Sequence, residues 1–243
     1  MTRDYKAAMI IVGNEILSGR TKDKNVNYVA NALSQKGIPL KEVRIIPDEH
    51  RTVVETVKVL SEQFDYVFTS GGIGPTHDDI TTECVAEALG SSLEVNAEAY
   101  ALLLDYYGEA DFTEARQKMA QIPVGGSLIS NAVSVAPGFV LGNVYVMAGV
   151  PRILQTMVDH VIPQLKGGAH IYSKSLECGI RESVLAPGLA DIQVEYEDVE
   201  IGCYPRFQQA GGVQVTVVLR STNEALLELA TSDVESLMNS LPT

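Results

Sequence analysis

A glycine-rich loop followed by two aspartates has the residue pattern best suited to binding a ligand: Thr69-Ser70-Gly71-Gly72-Ile73-Gly74-Pro75-Thr76-His77-Asp78-Asp79. It lies between a strand-like apolar run and a helix-like segment, and open α/β sheets bind their ligands at such junctions. Glycines let backbone N–H groups approach phosphate oxygens, and the following helix adds its positive N-terminal end. We therefore predict a phosphate site formed by Ser70, Gly71, Gly72, Gly74 and Thr76. The spacing fits neither standard nucleotide fingerprint, so a tight turn that only reverses the chain remains the alternative.

The paired carboxylates of Asp78 and Asp79 predict a cation beside this loop. They would repel a bound phosphate unless a cation lay between them, and Mg²⁺ is usually held by one or two carboxylates plus substrate phosphates. Such a metal could polarise a phosphoryl oxygen and position a water molecule. We expect Asp78 and Asp79 to be catalytic and metal-binding, with Asp23 as a further metal ligand. Because aspartate is a favoured helix N-cap, capping remains the alternative for Asp78.

Polar residues and turns elsewhere in the chain are predicted to meet the same ligand. Asp23 and Asn25 follow the first strand and precede a helix, which Asn25 could alternatively cap. Several proline and glycine turns end a strand or begin a helix, and taken alone they are ordinary turns. The further predicted ligand contacts are Glu15, Asn25, Asn131, Pro137, Gly138, Gly149 and Pro151.

Strand-like and helix-like segments alternate through the first two thirds of the chain. The apolar run at Ala7–Val12 predicts a buried strand, further strands are predicted at Leu40–Ile46 and 65–70, and residues with helical periodicity separate them. This alternation predicts βαβ units and a mostly parallel sheet, an α/β class. Two further helices are predicted at 96–107 and 112–121, as an insertion or a further layer. Gly142-Asn143 predicts a hairpin turn, and Pro151 favours the start of a last helix.

The pattern changes after Gly167-Gly168, which we interpret as a linker. A strand, a short helix, two strands and a final helix predict a small α+β domain with an antiparallel sheet. We therefore expect two domains, at residues 1–167 and 168–243. The second lacks the GXXG loop with which KH domains clamp RNA.

The composition argues against several classes of partner. The 243-residue chain has a formal net charge of −13, which disfavours a basic face for nucleic acid. No run approaches the roughly 18 apolar residues of a membrane span, and no secretory signal begins the chain. Three widely spaced cysteines, Cys84, Cys178 and Cys203, make neither a disulfide framework nor a zinc site. His77 in the loop either contacts phosphate or is simply solvated. We expect a cytoplasmic protein that binds a small phosphorylated ligand, without nucleic acid or membrane partners.

Taken in order, these motifs resemble the molybdopterin-binding MoaB/Mog-type domain, in the version found at the front of the competence/damage-inducible CinA proteins. The resemblance covers roughly residues 5–165, and the tail resembles the small KH-like domain that follows in CinA proteins. It rests on Gly13-Asn14-Glu15-Ile16-Leu17-Ser18-Gly19, Asp23 and Asn25, the loop from Thr69 to Thr81, Ala136-Pro137-Gly138-Phe139, and Gly149-Val150-Pro151.

The resemblance implies a three-layer α/β/α sandwich that binds a pterin or a nucleotide phosphate. In Mog-type relatives the aspartate matching Asp79 belongs to the site for adenylated molybdopterin. In CinA-type relatives the same pocket is associated with metal-dependent cleavage of ADP-ribose, and in FAD-synthase relatives with FAD hydrolysis. Two departures stand out: CinA proteins often continue into an amidase domain, and we do not expect that activity from residues 1–243, and the usual Pro-Gly-Val-Pro is Ala148-Gly149-Val150-Pro151.

Two functional hypotheses follow. The first is a divalent-metal-dependent pyrophosphatase that acts on a dinucleotide such as ADP-ribose or FAD, with Mg²⁺, Mn²⁺ or Co²⁺ as cofactor. The second is a non-catalytic protein of molybdenum-cofactor metabolism that holds molybdopterin. For either, the resemblance to folds that commonly oligomerise favours a homo-oligomer.

Overall fold

The computed structural model of the protein describes residues 5–207 and 213–242. It divides into two compact units, and the boundary falls between Gly168 and Ala169. Within the described ranges, no helix is long and apolar enough to cross a membrane.

The first unit contains a mixed six-stranded sheet with the strand order β2-β1-β3-β8-β7-β6. Strands β2, β1, β3 and β8 run parallel to one another, whereas β7 is antiparallel to both β8 and β6. A separate antiparallel pair joins β4 to β5. The strands are β1 (Ala7–Val12), β2 (Leu40–Ile46), β3 (Tyr66–Ser70), β4 (Leu93–Val95), β5 (Gln121–Pro123), β6 (Ser127–Ile129), β7 (Gly138–Leu141) and β8 (Val144–Met147).

Helices pack on both faces of this sheet. The helices of the unit are α1 (Asn14–Leu17), α2 (Asn25–Gln35), α3 (His50–Gln63), α4 (Thr81–Ala88), α5 (Ala97–Tyr107), α6 (Glu114–Gln117) and α7 (Pro151–Val161). Short 3₁₀ turns follow α6 at Lys118–Ala120 and α7 at Ile162–Gln164.

Strand β1 explains why there are three layers. It is buried along its whole length, and its side chains alternate between two hydrophobic clusters, as the period of two in a strand requires. Ala8, Ile10 and Val12 join the cluster formed with α3, α4 and α5. Met9 and Ile11 join the cluster formed with α2 and α7. The predicted α/β/α sandwich with a mostly parallel sheet is confirmed.

The second unit is a small α+β fold, as predicted. Its antiparallel sheet has the order β10-β11-β9, and two helices cover a core that includes Leu185, Val217 and Leu227. The elements are β9 (Tyr172–Cys178), α8 (Glu182–Glu195), β10 (Glu200–Phe207), β11 (Val213–Ser221) and α9 (Glu224–Ser240).

The predicted helix at 112–121 was wrong in form. Only Glu114–Gln117 is α-helical, capped by the Thr113 hydroxyl, and a 3₁₀ turn and a strand follow. The packing of Phe112 accounts for the later start: it is buried against Tyr100, with 4.9 Å between ring centroids, and Thr113 caps the helix after it.

Candidate functional site

A cleft of about 700 Å³ opens where the parallel strands end. Its walls come from the segments after β1, β2, β3 and β8, because the carboxyl ends of parallel strands lie at one edge of a sheet. The segment before the antiparallel β7 reaches the same edge. The polar and charged residues on the wall are Glu15, Thr21, Asp48, Thr76, Asp78, Asp79, Tyr107, Arg116, Asn131 and Ser134.

The glycine loop forms the floor between β3 and α4. Gly71 and Gly72 have positive φ angles of 103° and 71°, which side chains with a Cβ rarely adopt. A Cβ at Gly71 would lie 2.3 Å from the Val12 carbonyl oxygen, and one at Gly72 would lie 2.1 Å from Thr81 Oγ1. The tight turn therefore requires both glycines by itself, and their presence alone does not indicate a ligand.

The free donors of this loop are better evidence for a ligand. The Gly71 N–H is used by the sheet, where it donates to the Met147 carbonyl at 3.1 Å. In contrast, none of the hydrogen bonds among the described residues has the backbone N–H of Gly72, Ile73 or Gly74 as its donor. These three consecutive residues also line the cleft, and successive unused N–H groups of this kind are suited to binding an anion.

Asp79 closes the loop instead of capping a helix. Its Oδ2 accepts hydrogen bonds from the Thr76 backbone N–H at 2.8 Å and from the Thr76 hydroxyl. The carboxylate also packs where a Cβ at Gly74 would lie, at 2.6 Å, which explains the third glycine. Helix α4 begins after Ile80 without any side-chain cap. Asp79 thus has one oxygen committed to the loop and a second, Oδ1, left over.

Asp78 is exposed on the cleft wall and favours its ionised form. The neighbouring Thr76 side chain is the largest influence that lowers the pKa of Asp78, and the backbone N–H of Asp78 adds to the effect. Coulombic interactions with His77 and Lys118 lower the pKa of Asp78 further. The Asp78 carboxylate is therefore charged at neutral pH and accessible to a cation.

Asn25 joins three of the segments that form the cleft. It is the first residue of α2, and only 5% of its surface is exposed. Its amide nitrogen donates to Ser70 Oγ and to the Gly149 carbonyl, both at 2.8 Å. The expected alternative, that Asn25 caps α2, is wrong: Asp23 accepts the N–H groups of Asn25 and Val26, each at 3.1 Å. Asp23, Asn25 and Ser70 therefore support the cleft from outside its wall.

Asn131 organises the loop between β6 and β7. Its side chain donates to Ser134 Oγ at 2.7 Å and to the Ala136 carbonyl at 2.8 Å, and it accepts from the Val133 N–H at 2.9 Å. Val135 in this loop has a φ of 65°, an outlying conformation for a β-branched residue. Asn131 therefore holds a loop whose local backbone is strained.

The structure brings together part of the predicted site. Ten of the predicted residues line the cleft: Glu15, Gly71, Gly72, Gly74, Thr76, Asp78, Asp79, Asn131, Gly149 and Pro151. Five do not: Ser70, Asp23, Asn25, Pro137 and Gly138. Gly138 is buried in β7, where a Cβ would lie 2.3 Å from the Val146 carbonyl oxygen, and Pro137 lines a smaller cavity with His160.

The insertion around α6 supplies residues that the sequence did not single out. Arg116 and Tyr107 line the cleft, and the guanidinium carbon lies 4.2 Å from the centre of the Tyr107 ring. Lys118 donates to the carbonyls of Asp79 at 2.7 Å and Thr76 at 3.3 Å, so it fastens the glycine loop to the insertion. Their spacing in the sequence matches no phosphate-binding motif, so only the charge of Arg116 and Lys118 could have drawn attention to them.

A metal would have to share its coordination with a ligand. Across residues 5–207 and 213–242, no three His, Cys, Asp or Glu side chains are grouped so that they could hold a metal ion. Asp78, with the free oxygen of Asp79, offers one or two carboxylates, and that number suits Mg²⁺ when a substrate phosphate completes the shell. The donors present fit a cation that arrives with a phosphorylated ligand.

Comparison with known proteins gives a family match for each of the two units. Residues 8–167 match the family described as probable molybdopterin binding domain, and residues 170–242 match the middle domain of FAD synthase. A Thermoplasma acidophilum protein is 33% identical over 210 residues, which cover 82% of this chain and 80% of that protein. A Pyrococcus abyssi protein is 30% identical over 238 residues, which cover 92% and 93%.

A solved structure agrees with these matches. The crystal structure of CinA from Thermoplasma acidophilum, a protein described as having unknown function, matches with 35% sequence identity and a TM-score of 0.63. The match covers 66% of this chain and 98% of that one. With the family match over residues 8–167 and the cleft described above, the chain belongs to the molybdopterin-binding-domain family and is a CinA-like member of it.

Proposed function

We propose that the protein is a divalent-metal-dependent pyrophosphatase that cleaves a dinucleotide such as ADP-ribose or FAD. One observation carries the proposal: three free backbone N–H groups and the ionised Asp78 line the same cleft. Donors of this kind bind phosphate, and a charged carboxylate beside them suits the cation that a diphosphate brings with it. The match of residues 170–242 to the middle domain of FAD synthase supports a flavin dinucleotide among the substrates.

The proposed roles follow from the contacts of each residue. The N–H groups of Gly72, Ile73 and Gly74 hold the diphosphate, and Asp79 keeps this loop in shape through Thr76. Asp78 and the second oxygen of Asp79 would hold the cation. When bound, a divalent cation neutralises phosphate charge and polarises a phosphoryl oxygen. Water then attacks one phosphorus, the bridging P–O bond breaks, and AMP leaves with ribose 5-phosphate or FMN.

The test measures AMP release from ADP-ribose and from FAD by the purified protein, with Mg²⁺, Mn²⁺ or Co²⁺ and without metal. Asp78→Asn should lower the rate on the order of 100-fold, since metal polarisation of the phosphoryl oxygen is worth several kcal/mol. At Asp79, the Asp79→Asn variant is a more specific test than an alanine variant, because it removes the charge and keeps an acceptor for the Thr76 N–H.

The matched control is Asp191→Asn, which makes the same change at an exposed position of α8 in the second unit. It should leave AMP release unchanged. If the wild-type protein releases no more AMP than Asp78→Asn with any of the three metals, the proposed hydrolysis is wrong.

The second candidate is binding of molybdopterin without turnover, which the family description of residues 8–167 favours. The same N–H groups and cleft volume would then hold the pterin phosphate. Isothermal titration calorimetry with molybdopterin and with ADP-ribose separates the two. Tight nucleotide binding together with no pterin binding would exclude this candidate.

A further inference from the structure

An arginine without a carboxylate partner lines this cleft. The chain has 31 acidic and 18 basic residues, and Glu15, Asp48, Asp78 and Asp79 share the cleft wall with Arg116. Even so, within the described residues Arg116 forms no ion pair with a carboxylate, although other surface arginines such as Arg44 and Arg51 do. Among the described residues on this wall, Arg116 is the one with a permanent positive charge.

The side chain of Arg116 is held in place before any ligand binds. Its guanidinium lies over the Tyr107 ring at 4.2 Å, and Nη1 donates to the Asp111 carbonyl. The backbone N–H of Arg116 donates to the Thr113 hydroxyl, the cap of α6. Stacking on an aromatic ring and one hydrogen bond fix the plane of a guanidinium, and its other N–H groups stay available.

The insertion that carries Arg116 is itself anchored. Phe112 is buried against Tyr100, Gln117 Nε2 donates to the Phe112 carbonyl at 3.1 Å, and Lys118 binds the backbone of the glycine loop. Arg116 is therefore attached to a packed segment that is tied directly to the predicted phosphate site, and not to a loose loop.

We infer that Arg116, positioned by Tyr107, recognises the anionic diphosphate of the ligand. No other described residue on the cleft wall offers a permanent positive charge for this role. A guanidinium offers paired N–H donors that match phosphate oxygens, which backbone amides and a metal do not duplicate. Arg116 thus selects ligands with a phosphate group over uncharged nucleosides, and Tyr107 is a positioning residue. This inference rests on the proposed function only in requiring a phosphorylated ligand in the cleft.

The experiment measures binding separately from hydrolysis. Isothermal titration calorimetry gives dissociation constants for ADP-ribose and inorganic diphosphate, without metal so that no turnover occurs. Arg116→Gln should weaken both by roughly 10-fold to 100-fold, the range expected for charge-assisted hydrogen bonds. Arg116→Lys keeps the charge and loses the paired donors, so its affinity for each ligand should lie between those of the wild type and Arg116→Gln. Raising the salt concentration should weaken ligand binding by the wild-type protein more than ligand binding by Arg116→Gln.

Two variants of Tyr107 test whether its ring positions Arg116. Tyr107→Phe keeps the ring and should preserve affinity, whereas Tyr107→Leu removes it and should weaken diphosphate binding. Arg181→Gln, an exposed arginine at the start of α8 in the second unit, is the control and should bind as the wild type does. Thermal unfolding of each variant checks the fold, and if Arg116→Gln is unfolded, Arg116→Lys carries the comparison.

The outcomes separate this inference from the proposed function. Equal diphosphate affinity in the wild type and in folded Arg116→Gln or Arg116→Lys would overturn the role of Arg116 even if hydrolysis occurs. Weakened binding in these variants supports the role even if the wild type releases no AMP.

Discussion

Asn25→Ala should destabilise the first unit by an amount that can be worked out from its contacts. The substitution removes two hydrogen bonds of 2.8 Å, to Ser70 Oγ and to the Gly149 carbonyl. Ser70 is only 1% exposed, so its hydroxyl stays without this partner, whereas Gly149 is exposed and can bind water instead. The Asn25 Oδ1 already lacks a partner among the described residues, so its removal costs no hydrogen bond.

The two contacts therefore do not contribute equally. Net hydrogen bonds contribute about 1 kcal/mol each, and a stranded buried group adds about 1–3 kcal/mol, so we expect a loss of about 2–4 kcal/mol. Urea unfolding followed by circular dichroism measures it. Asn31→Ala on the exposed side of α2 removes only the surface contact with Asn27 and is the matched control. A loss for Asn25→Ala no larger than that of Asn31→Ala would refute the reasoning.

Three further predictions concern the loop and a buried thiol. Gly72→Ala should cost several times as much unfolding free energy as Gly90→Ala, because both have φ near 70° but only the Gly72 Cβ would meet Thr81; urea unfolding compares them. Thr76→Val should raise the lowered pKa of Asp78 towards its usual value, and NMR titration measures it. The lowered pKa means that the Asp78 charge stabilises the fold above the usual aspartate pKa, and that this stabilisation is lost as pH falls through the folded-state pKa. An Asp78 midpoint that does not move in Thr76→Val would contradict this. Burial, with smaller contributions from Glu83 and Glu87, raises the pKa of the Cys84 thiol to about 12. Cys84 should therefore resist thiol reagents at pH 8 until the protein unfolds. Labelling as fast in the native protein as in urea would contradict its burial.

The sheet could be predicted from the sequence because its signals are local. Ala7–Val12 and Leu40–Ile46 were predicted with the bounds that the structure has, since segments flanked by clear helical periodicity are strong signals. The hairpin at Gly142-Asn143 was also predicted, and Gly142 has the positive φ of 59° that such a turn needs. The short pair β4–β5 and strand β6 have three residues each, too few to show a period.

The site was harder to predict, because its contacts are long-range. Asn25 was predicted to contact the ligand, with capping of α2 as the alternative, but its side chain turns to Ser70 and Gly149, which are 45 and 124 residues away. Asp23 looked like a metal ligand, and it holds the start of α2. Arg116 lies in an insertion with no recognisable spacing, and long-range contacts such as those of Phe112 and Lys118 hold that segment beside the cleft.

The hydrogen bond from Asn25 to Gly149 has a consequence for how the chain acquires its cleft during synthesis. Its two ends are 124 residues apart, and Gly149 lies two residues after β8, the strand that pairs with β3. Contacts of such long sequence separation slow folding, because the entropy of closing the loop is lost before the contact is made. A nascent chain that has not yet emerged beyond Pro151 lacks α7, which completes the hydrophobic cluster on one face of β1, so it has neither the complete core nor the complete cleft. Folding and the ability to bind a ligand are therefore gained together and late.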